Sequence, residues 1–401
     1  MLNERHLERY ANVLLWGLDK ARKKSFKKND IILIRYNLGA FRLAEILEAK
    51  ILKMGLMPVQ RLNPTATMEK NFFELSNATQ LTFIPPGEKE LYSNLNGAIF
   101  LFCPESITHL AHIPPKKIGQ FTRSRKKLRD LLDARDELGH FGWTLCMLPT
   151  IESAKHAGLD LEVYSQQIVK ACFLNRKDPI AQWQSVYENA QKIKRWLNRQ
   201  SVSNYHVESN NIDLYIRPGE HRKWIGLSGH NIPSFEIFLS PDWRGTKGVF
   251  YADQPSYRSG NYVEGVRLEF KRGSAVKIEA KSGQAFLREQ LALDKGANKV
   301  GEFSLTDRRF SKINCFMANT LYDENFGGPY GNCHIALGSS YSDTYSGDLY
   351  EFTKESKKAL GFNDSALHWD LVNTEKKRVT AHLTTGDRII IYENGRFSIN
   401  P

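Results

Sequence analysis

Short apolar runs alternate with helical segments along the first part of the chain, and this alternation constrains the fold more than any other feature. The runs are IILIRY (31–36), Met57–Leu62, GAIFLFCP (97–104) and GWTLCMLP (142–149), and apolar side chains recur at helical spacing over 4–22, 38–54 and 123–137. Continuous apolar runs are typical of parallel strands buried on both faces. The alternation therefore predicts an open, Rossmann-like α/β layer.

The pattern changes near Ser201. Residues 151–199 are helical in pattern, whereas the chain beyond them is rich in glycine and in short β-type runs such as EIFLS, VRLEFKRG and RIIIYENGRF, with one helix expected at 284–293. We therefore predict the α/β fold class with two domains. Residues 1–200 form an N-terminal α/β domain with a helical extension, and residues 201–401 form a C-terminal domain of mixed α+β structure.

Composition matters here mainly for what it excludes. Because 41% of the 401 residues are hydrophobic and 25% are charged, the chain has enough apolar surface to fold. The densest apolar run, Ala98–Cys103, is far shorter than the ~18 residues that a bilayer span requires. The first residues mix charges into a helical pattern, so we expect no secretory signal, no membrane segment and a cytoplasmic location. The five cysteines are widely separated and contain no CxxC pair, which favours buried thiols over disulfides.

The formal net charge of +12 favours nucleic-acid binding as an alternative function. Lys20–Lys28 contains six basic residues and Lys116–Arg129 contains seven, and neither segment contains an acidic one. Such segments are usually solvated helix ends and faces, and these two lack the interleaved aromatic residues of a base-stacking platform. A basic nucleic-acid-binding module therefore stays an alternative, although no specific nucleic acid is expected as a partner.

Side chains able to bind a metal cluster in the second half of the sequence. No phosphate-binding loop, dinucleotide fingerprint, nucleophile elbow or H-E-x-x-H motif is present. In LHWDLV (367–372), His368 and Asp370 are two residues apart, so on a strand both project from one face. An imidazole beside a carboxylate forms two adjacent ligands for a divalent metal, although a chance pair on a solvated strand face has the same spacing.

Five further residues could complete such a site, and each has an ordinary structural explanation as well. His334 also fits a buried core histidine, Tyr341 a packing tyrosine, and Glu324 a turn or helix cap; Glu236 and Glu302 fit outward-facing strand positions. Adjacent strand residues face opposite ways, so Cys333 is not expected to join His334. Taken together, hard oxygen donors with two imidazoles favour a two-metal hydrolytic site over a thiolate or haem site.

These motifs make the chain resemble the aminopeptidase T family of dinuclear metalloaminopeptidases. The resemblance covers nearly the whole chain. In the N-terminal half it rests on general sequence similarity in segments such as ERYANVLLWGL and WTLCMLPT. In the C-terminal half it rests on NIPSFEIFLSP, VGEFSL, LYDEN, CHIALGSSY and the His-x-Asp of LHWDLV, in the family's order and at similar spacing.

The resemblance implies a ligand set and an activity. The metal ligands it implies are Glu236, Glu302, His334, Tyr341, His368 and Asp370, with the Glu302 carboxylate bridging two divalent ions. Those ions are zinc, cobalt, manganese or magnesium. The implied substrates are peptides with a free N-terminus, and the implied assembly is a homodimer. Glu324 matches a family glutamate sometimes counted as a ligand, but the FGGPYGN segment (326–332) lengthens the gap before His334.

A metal-activated water attacking the N-terminal peptide bond is the mechanism that the resemblance implies. Glu324 is then a candidate acid/base group, because the sequence indicates no other residue as the proton acceptor. An inactive homologue acting as a scaffold is a further alternative, against which the intact set of six ligands argues.

Overall fold

The computed structural model describes residues 2–348 and 351–399. The chain divides into two units, each with its own sheets and core. The first unit runs to Gln184 and also includes Leu227–Ser234, and the second consists of Ser185–Gly226 and the residues from Phe235 onward.

A sheet of parallel strands forms the core of the first unit. Its strands are β1 (Ile31–Tyr36), β2 (Met57–Leu62), β3 (Gly97–Phe102), β4 (Gly142–Met147) and, after two strands of the second unit, β7 (Asn231–Ile232). Their spatial order is β2-β1-β3-β4-β7, and each of these pairings is parallel. The apolar runs of the sequence are thus the buried strands of an α/β layer, as predicted.

Helix α1 precedes these strands, and further helices connect them or follow β4 in the chain. Their bounds are α1 (Glu4–Ala21), α2 (Phe41–Lys53, preceded by a 3-10 turn at Leu38–Ala40), α3 (Ala66–Leu75), α4 (Ala78–Thr82), α5 (Glu88–Asn94), α6 (Pro115–Glu137), α7 (Ile151–His156), α8 (Leu161–Ala171) and α9 (Pro179–Asn198). Helix α6 begins well before the predicted residue 123, because Pro115 occupies the first helical position, where its missing N–H costs nothing. Few of its side chains are buried, so its apolar periodicity is weak.

Two antiparallel sheets build the second unit. The eight-stranded sheet has the order β13-β12-β9-β6-β5-β17-β18-β19, and the four-stranded sheet the order β16-β15-β14-β8. The strands are β5 (Val202–Glu208), β6 (Asp213–Ile216), β8 (Glu236–Leu239), β9 (Lys247–Ala252), the small hairpin β10 (Ser256–Arg258) and β11 (Asn261–Val263), β12 (Val266–Lys271), β13 (Ser274–Glu279), β14 (Val300–Thr306), β15 (Asn332–Gly338), β16 (His368–Asn373), β17 (Arg378–Leu383), β18 (Arg388–Glu393) and β19 (Arg396–Phe397).

Besides α9, which enters the second unit at Ser185, the described part of this unit has three α-helices and two 3-10 turns. They are α10 (Gln284–Leu291), α11 (Thr320–Asp323), α12 (Lys354–Ala359) and the turns Trp243–Gly245 and Ser342–Thr344. Helix α10 agrees with the helix expected at 284–293. Helix α11 has only one turn, but Glu324 follows it directly.

One face of the four-stranded sheet packs into the core of the second unit. Phe303 of β14 lies on this face, and its ring is 6.2 Å from the ring of Tyr205 in β5 and 5.7 Å from that of Trp224. The buried indole of Trp224 donates to the Tyr205 hydroxyl over 2.8 Å. Aromatic burial of this kind holds the two sheets together and leaves the other face of the four-stranded sheet free for polar residues.

No helix within residues 2–348 and 351–399 has the length and apolar character needed to cross a bilayer. The five cysteines all carry free thiols, of which Cys146, Cys172 and Cys333 are buried.

Candidate metal centre

Strand pairing in the four-stranded sheet brings the predicted ligands to one face. Glu302 of β14 pairs with Ala336 of β15, which pairs with Asp370 of β16. In the next row, Ser304 pairs with His334. Side chains of paired residues lie on the same side of a sheet, and so do side chains two residues apart. The two rows therefore share one face.

The remaining strand positions extend this polar face. Thr306 pairs with Glu236 on one side of it, and Gly338 pairs with His368 on the other. Small side chains at Ser304, Ala336 and Gly338 leave space between the larger polar ones. Alternation places Cys333 on the apolar face, as expected.

The side chains on this face come within bonding range of a common ion. Nε2 of His334 is 3.1 Å from Oε1 of Glu302, 3.3 Å from Oε2 of Glu236 and 3.9 Å from Oδ1 of Asp370. Donor atoms of Glu236, Glu302 and His334 all lie within 4.8 Å of one another. The three residues thus form a buried cluster of the size that one metal ion requires.

Glu302 has a special position because its two oxygens face different imidazoles. While Oε1 lies beside His334, Oε2 is 3.7 Å from Nε2 of His368, which is also 3.5 Å from Oδ1 of Asp370. A carboxylate in this position can contact two ions at once.

The tautomer of His368 is set by the backbone. Its Nδ1 is 2.9 Å from the carbonyl oxygen of Ser339, and a carbonyl can only accept, so Nδ1 carries the hydrogen. In the neutral imidazole, Nε2 then presents a lone pair to two carboxylates, an arrangement of acceptors that a cation stabilises. A carbonyl behind a ligating imidazole is the usual support of a metal-bound histidine. By contrast, Nδ1 of the buried His334 has no hydrogen-bond partner among the residues described.

The charges of the cluster also fit divalent cations. The carboxylates of Glu236, Glu302, Glu324 and Asp370 share the space with two imidazoles, and Arg258 adds one positive charge near Asp370. Burial and the Glu302 carboxylate raise the pKa of Glu236 to about 8. Burial and the carboxylate of Glu236 also raise the pKa of Glu324 well above its ordinary value. Buried negative charge in excess is costly without a counter-ion, and divalent cations would supply it.

The charges of the cluster also shift the pKa values of the imidazoles and of Asp370. Burial acts to lower the pKa of His334, but the hydrogen bond to Glu302 and the neighbouring carboxylates raise it to about 9. Burial acts to raise the pKa of Asp370, but the charge and hydrogen bond of His368 outweigh it and bring the pKa to about 2. Both histidines are therefore strongly held by the carboxylates around them.

Tyr341 lies at the edge of the cluster. It is in the turn that follows β15, and its ring is 4.8 Å from the ring of His368. Its backbone N–H donates to Ser240 Oγ over 2.8 Å. Burial and the Glu302 carboxylate raise the pKa of its phenol well above 10.

Glu324 also faces the cluster, despite the longer segment between it and His334. Its carbonyl oxygen accepts from Thr306 Oγ1 at 3.1 Å and from Asn332 Nδ2 at 3.0 Å. Because Asn332 begins β15 and Thr306 ends β14, these bonds fix Glu324 to the two central strands. The FGGPYGN segment therefore loops out without moving Glu324 from the site.

Two supporting side chains escaped the sequence analysis. Ser304 Oγ donates to Glu236 Oε2 over 3.3 Å, and Asn325 Oδ1 accepts from the N–H of Phe235 at 2.5 Å, next to Glu236. The position of Ser304, two residues after Glu302 on a strand, was a usable signal. Nothing in the sequence pairs Asn325 with Phe235, which are far apart in the chain.

Comparison with known proteins decides the family. A model of the thermophilic metalloprotease (M29) family matches residues 3–397. The chain belongs to this family. Among similar sequences, aminopeptidase T of Thermus aquaticus is 27% identical over 316 residues, which are 72% of this chain and 74% of that protein. Aminopeptidase AmpS of Bacillus subtilis is 27% identical over 337 residues, which are 78% and 79% of the two chains.

A solved structure extends the likeness to the fold. Wild-type AmpT from Thermus thermophilus superposes with a TM-score of 0.79 at 22% identity, covering 99% of this chain and all of that one. The family resemblance predicted from the sequence is thus confirmed, and so is the α/β fold class. Membership of a metalloprotease family also agrees with the cluster of buried donors on the four-stranded sheet.

Proposed function

We propose that this M29 protein is a metal-dependent aminopeptidase that removes N-terminal residues from peptides. The observation that carries the proposal is the position of Glu302, whose two carboxylate oxygens each face a different imidazole. With this geometry, Glu302 would offer one oxygen to each of two divalent ions. The family and the names of its relatives support a peptidase over the nucleic-acid-binding alternative.

Each residue of the cluster has a proposed role in holding the ions. Glu236 and His334 would hold one ion, His368 and Asp370 would hold the other, and Tyr341 would complete the second site. Bound divalent ions supply Lewis acidity and a water of lowered pKa. Ser304 and the Ser339 carbonyl orient Glu236 and His368, so the ligands are placed before the ions arrive.

Glu324 is the proposed proton carrier. Burial and the carboxylate of Glu236 raise its pKa well above the ordinary value, and a raised pKa suits a carboxyl group to accept and return a proton. Its backbone is fixed by Thr306 and Asn332, so its position does not depend on a bound ion. The negative excess of the cluster also suits the α-ammonium group of a peptide, which would explain cleavage at the N-terminus.

Zinc or cobalt is the proposed metal, because two imidazoles among the ligands favour these ions over magnesium.

We infer two further properties, the oligomeric state and the location, as predictions. One is the homodimer, which sedimentation equilibrium of the purified protein tests directly. The other is a cytoplasmic location, which the five free cysteines support because thiols persist in reducing compartments.

Chelation followed by metal addition tests the proposed activity. Protein dialysed against a chelator should not hydrolyse Leu-p-nitroanilide, and zinc, cobalt, manganese or magnesium should restore hydrolysis to different extents. A substrate with a blocked N-terminus is the matched control and should not be cleaved. Hydrolysis that survives complete metal removal, or that no ion restores, would refute the proposal.

A further inference from the structure

The turn that follows β15 lies next to three of the proposed ligands, His334, Tyr341 and His368. It runs from Gly338 to Tyr341, after the strand that carries His334. Within it, the Ser339 carbonyl accepts from Nδ1 of His368. The position of this short segment therefore sets the orientation of His368 and the place where Tyr341 enters the site.

Asn363 holds this turn from outside the metal centre. Its buried side chain donates through Nδ2 to the carbonyl of Gly338 at 2.5 Å and to that of Gly296 at 2.8 Å. Its backbone N–H donates to Ser340 Oγ at 2.9 Å, and its carbonyl accepts from the N–H of Ser340 at 2.8 Å. Three of these four hydrogen bonds hold Gly338 and Ser340 and thus fix both sides of Ser339.

The backbone on the other side of the turn leaves it no room to move. A Cβ at Gly301 would lie 2.4 Å from the carbonyl oxygens of both Gly338 and Ser339. The N–H of Ser339 also donates to the carbonyl of Leu367 over 2.7 Å. The Ser339 carbonyl is therefore confined between Gly301 and His368, and Asn363 keeps it there.

We propose that Asn363 is a positioning residue of the metal centre, which holds the Gly338–Ser340 turn so that the Ser339 carbonyl fixes the ligating tautomer of His368. The inference rests on the proposed function, because it takes His368 as a ligand. Without the Nδ2 donor, the buried Gly338 carbonyl loses this partner and the turn shifts to find another, whereas the Gly296 carbonyl keeps the N–H of Lys299. The imidazole of His368 then loses its fixed orientation, and its Nε2 is no longer held toward Glu302 and Asp370.

Zinc affinity of the full-length protein tests this role without relying on turnover. Groups that orient ligands typically account for 10- to 100-fold in metal affinity. We therefore expect Asn363→Ala to weaken binding of the second zinc ion by about tenfold or more, measured by competition with a chromophoric chelator.

Asn198→Ala is the matched control. The Asn198 side chain also bridges to backbone, accepting from the N–H of Trp224 at 2.7 Å and donating to its carbonyl at 3.0 Å. Its removal also takes hydrogen bonds from backbone groups, but it touches no part of the turn. Unfolding curves of both variants separate a loss of stability from a loss of metal affinity.

The outcomes are distinguishable. Wild-type protein that binds no zinc would refute the proposed function itself. Wild-type protein that binds two ions, with Asn363→Ala binding them equally well, would refute the role of Asn363. If Asn363→Ala yields no folded protein, Ser340→Ala removes only the acceptor for the Asn363 N–H. It should weaken zinc binding in the same direction by a smaller factor, and unchanged affinity in this variant would overturn the inference.

Discussion

Replacing Glu236 with glutamine should stabilise the metal-free protein while it removes metal binding. Glutamine has the shape of glutamate, so the change removes a charge and little else. In the metal-free cluster, burial and Glu302 raise the pKa of Glu236 from 4.5 to about 8. Ionising this carboxyl in the folded state therefore costs free energy that the unfolded chain does not pay.

The size of the effect follows from the two pKa values. A folded-state pKa raised above the unfolded value leaves stability unaffected below pH 4.5 and lowers it progressively between pH 4.5 and pH 8. At about 1.4 kcal/mol per pH unit, the cost is about 3 kcal/mol at pH 7. Glu236→Gln should regain that amount, which corresponds to a rise in melting temperature of roughly 6–12 °C for a unit of this size.

Urea unfolding of chelator-treated protein at several pH values measures this difference. Wild type and Glu236→Gln should be equally stable near pH 4.5 and should separate steadily as the pH rises to 8. Glu289→Gln, on the exposed surface of α10, is the matched control and should stay within about 0.5 kcal/mol of wild type at every pH. Added zinc should reverse the order, because it binds and stabilises the wild type alone.

A metal-free Glu236→Gln protein that is less stable than wild type would refute this reasoning. So would a gain in stability that is the same at pH 5 and pH 8, since a gain independent of pH does not come from an ionising carboxylate. A confirmed gain would show that this face of the sheet is arranged for ions at the expense of stability, a common property of functional sites.

Three other variants test separate parts of the site and its sheet. Glu324→Gln should keep its metal content but lower kcat for Leu-p-nitroanilide by about 10²–10⁴, whereas a loss of metal would make Glu324 a ligand instead. His368→Ala should lose metal and turnover together in elemental analysis and the same assay, while Arg125→Ala on α6 should change neither. Phe303→Ala should lower the free energy of unfolding by about 3–5 kcal/mol in urea, because its ring is buried between the two sheets; a loss below 1 kcal/mol would contradict that packing.

The strand periodicity of the sequence predicts which side chains share a face of a strand. The spacing of His368 and Asp370 places them on one face of a strand, and they lie on one face of β16. The sequence could not show that β14 lies between β8 and β15, because the order of strands depends on packing between distant segments. For the same reason, the approach of Glu302 to both imidazoles becomes visible only in three dimensions.

Contacts made by backbone atoms are the main features that sequence reasoning misses. The Ser339 carbonyl behind His368 has no side-chain signature, because any residue offers the same carbonyl. Asn363, which holds it, lies in GFNDS, where an asparagine is equally typical of a turn. Helices α3 to α5 escaped prediction because they bury few side chains, so their apolar periodicity is faint.

Anomalous diffraction from crystals grown with zinc, recorded at the zinc edge, tests the central claim most directly. We expect two peaks about 3.5–4 Å apart beside the four-stranded sheet, with the Glu302 carboxylate between them. One peak should lie beside Glu236 and His334, and the other beside His368 and Asp370. A single peak, or peaks remote from Glu302, would contradict the account of a two-metal centre.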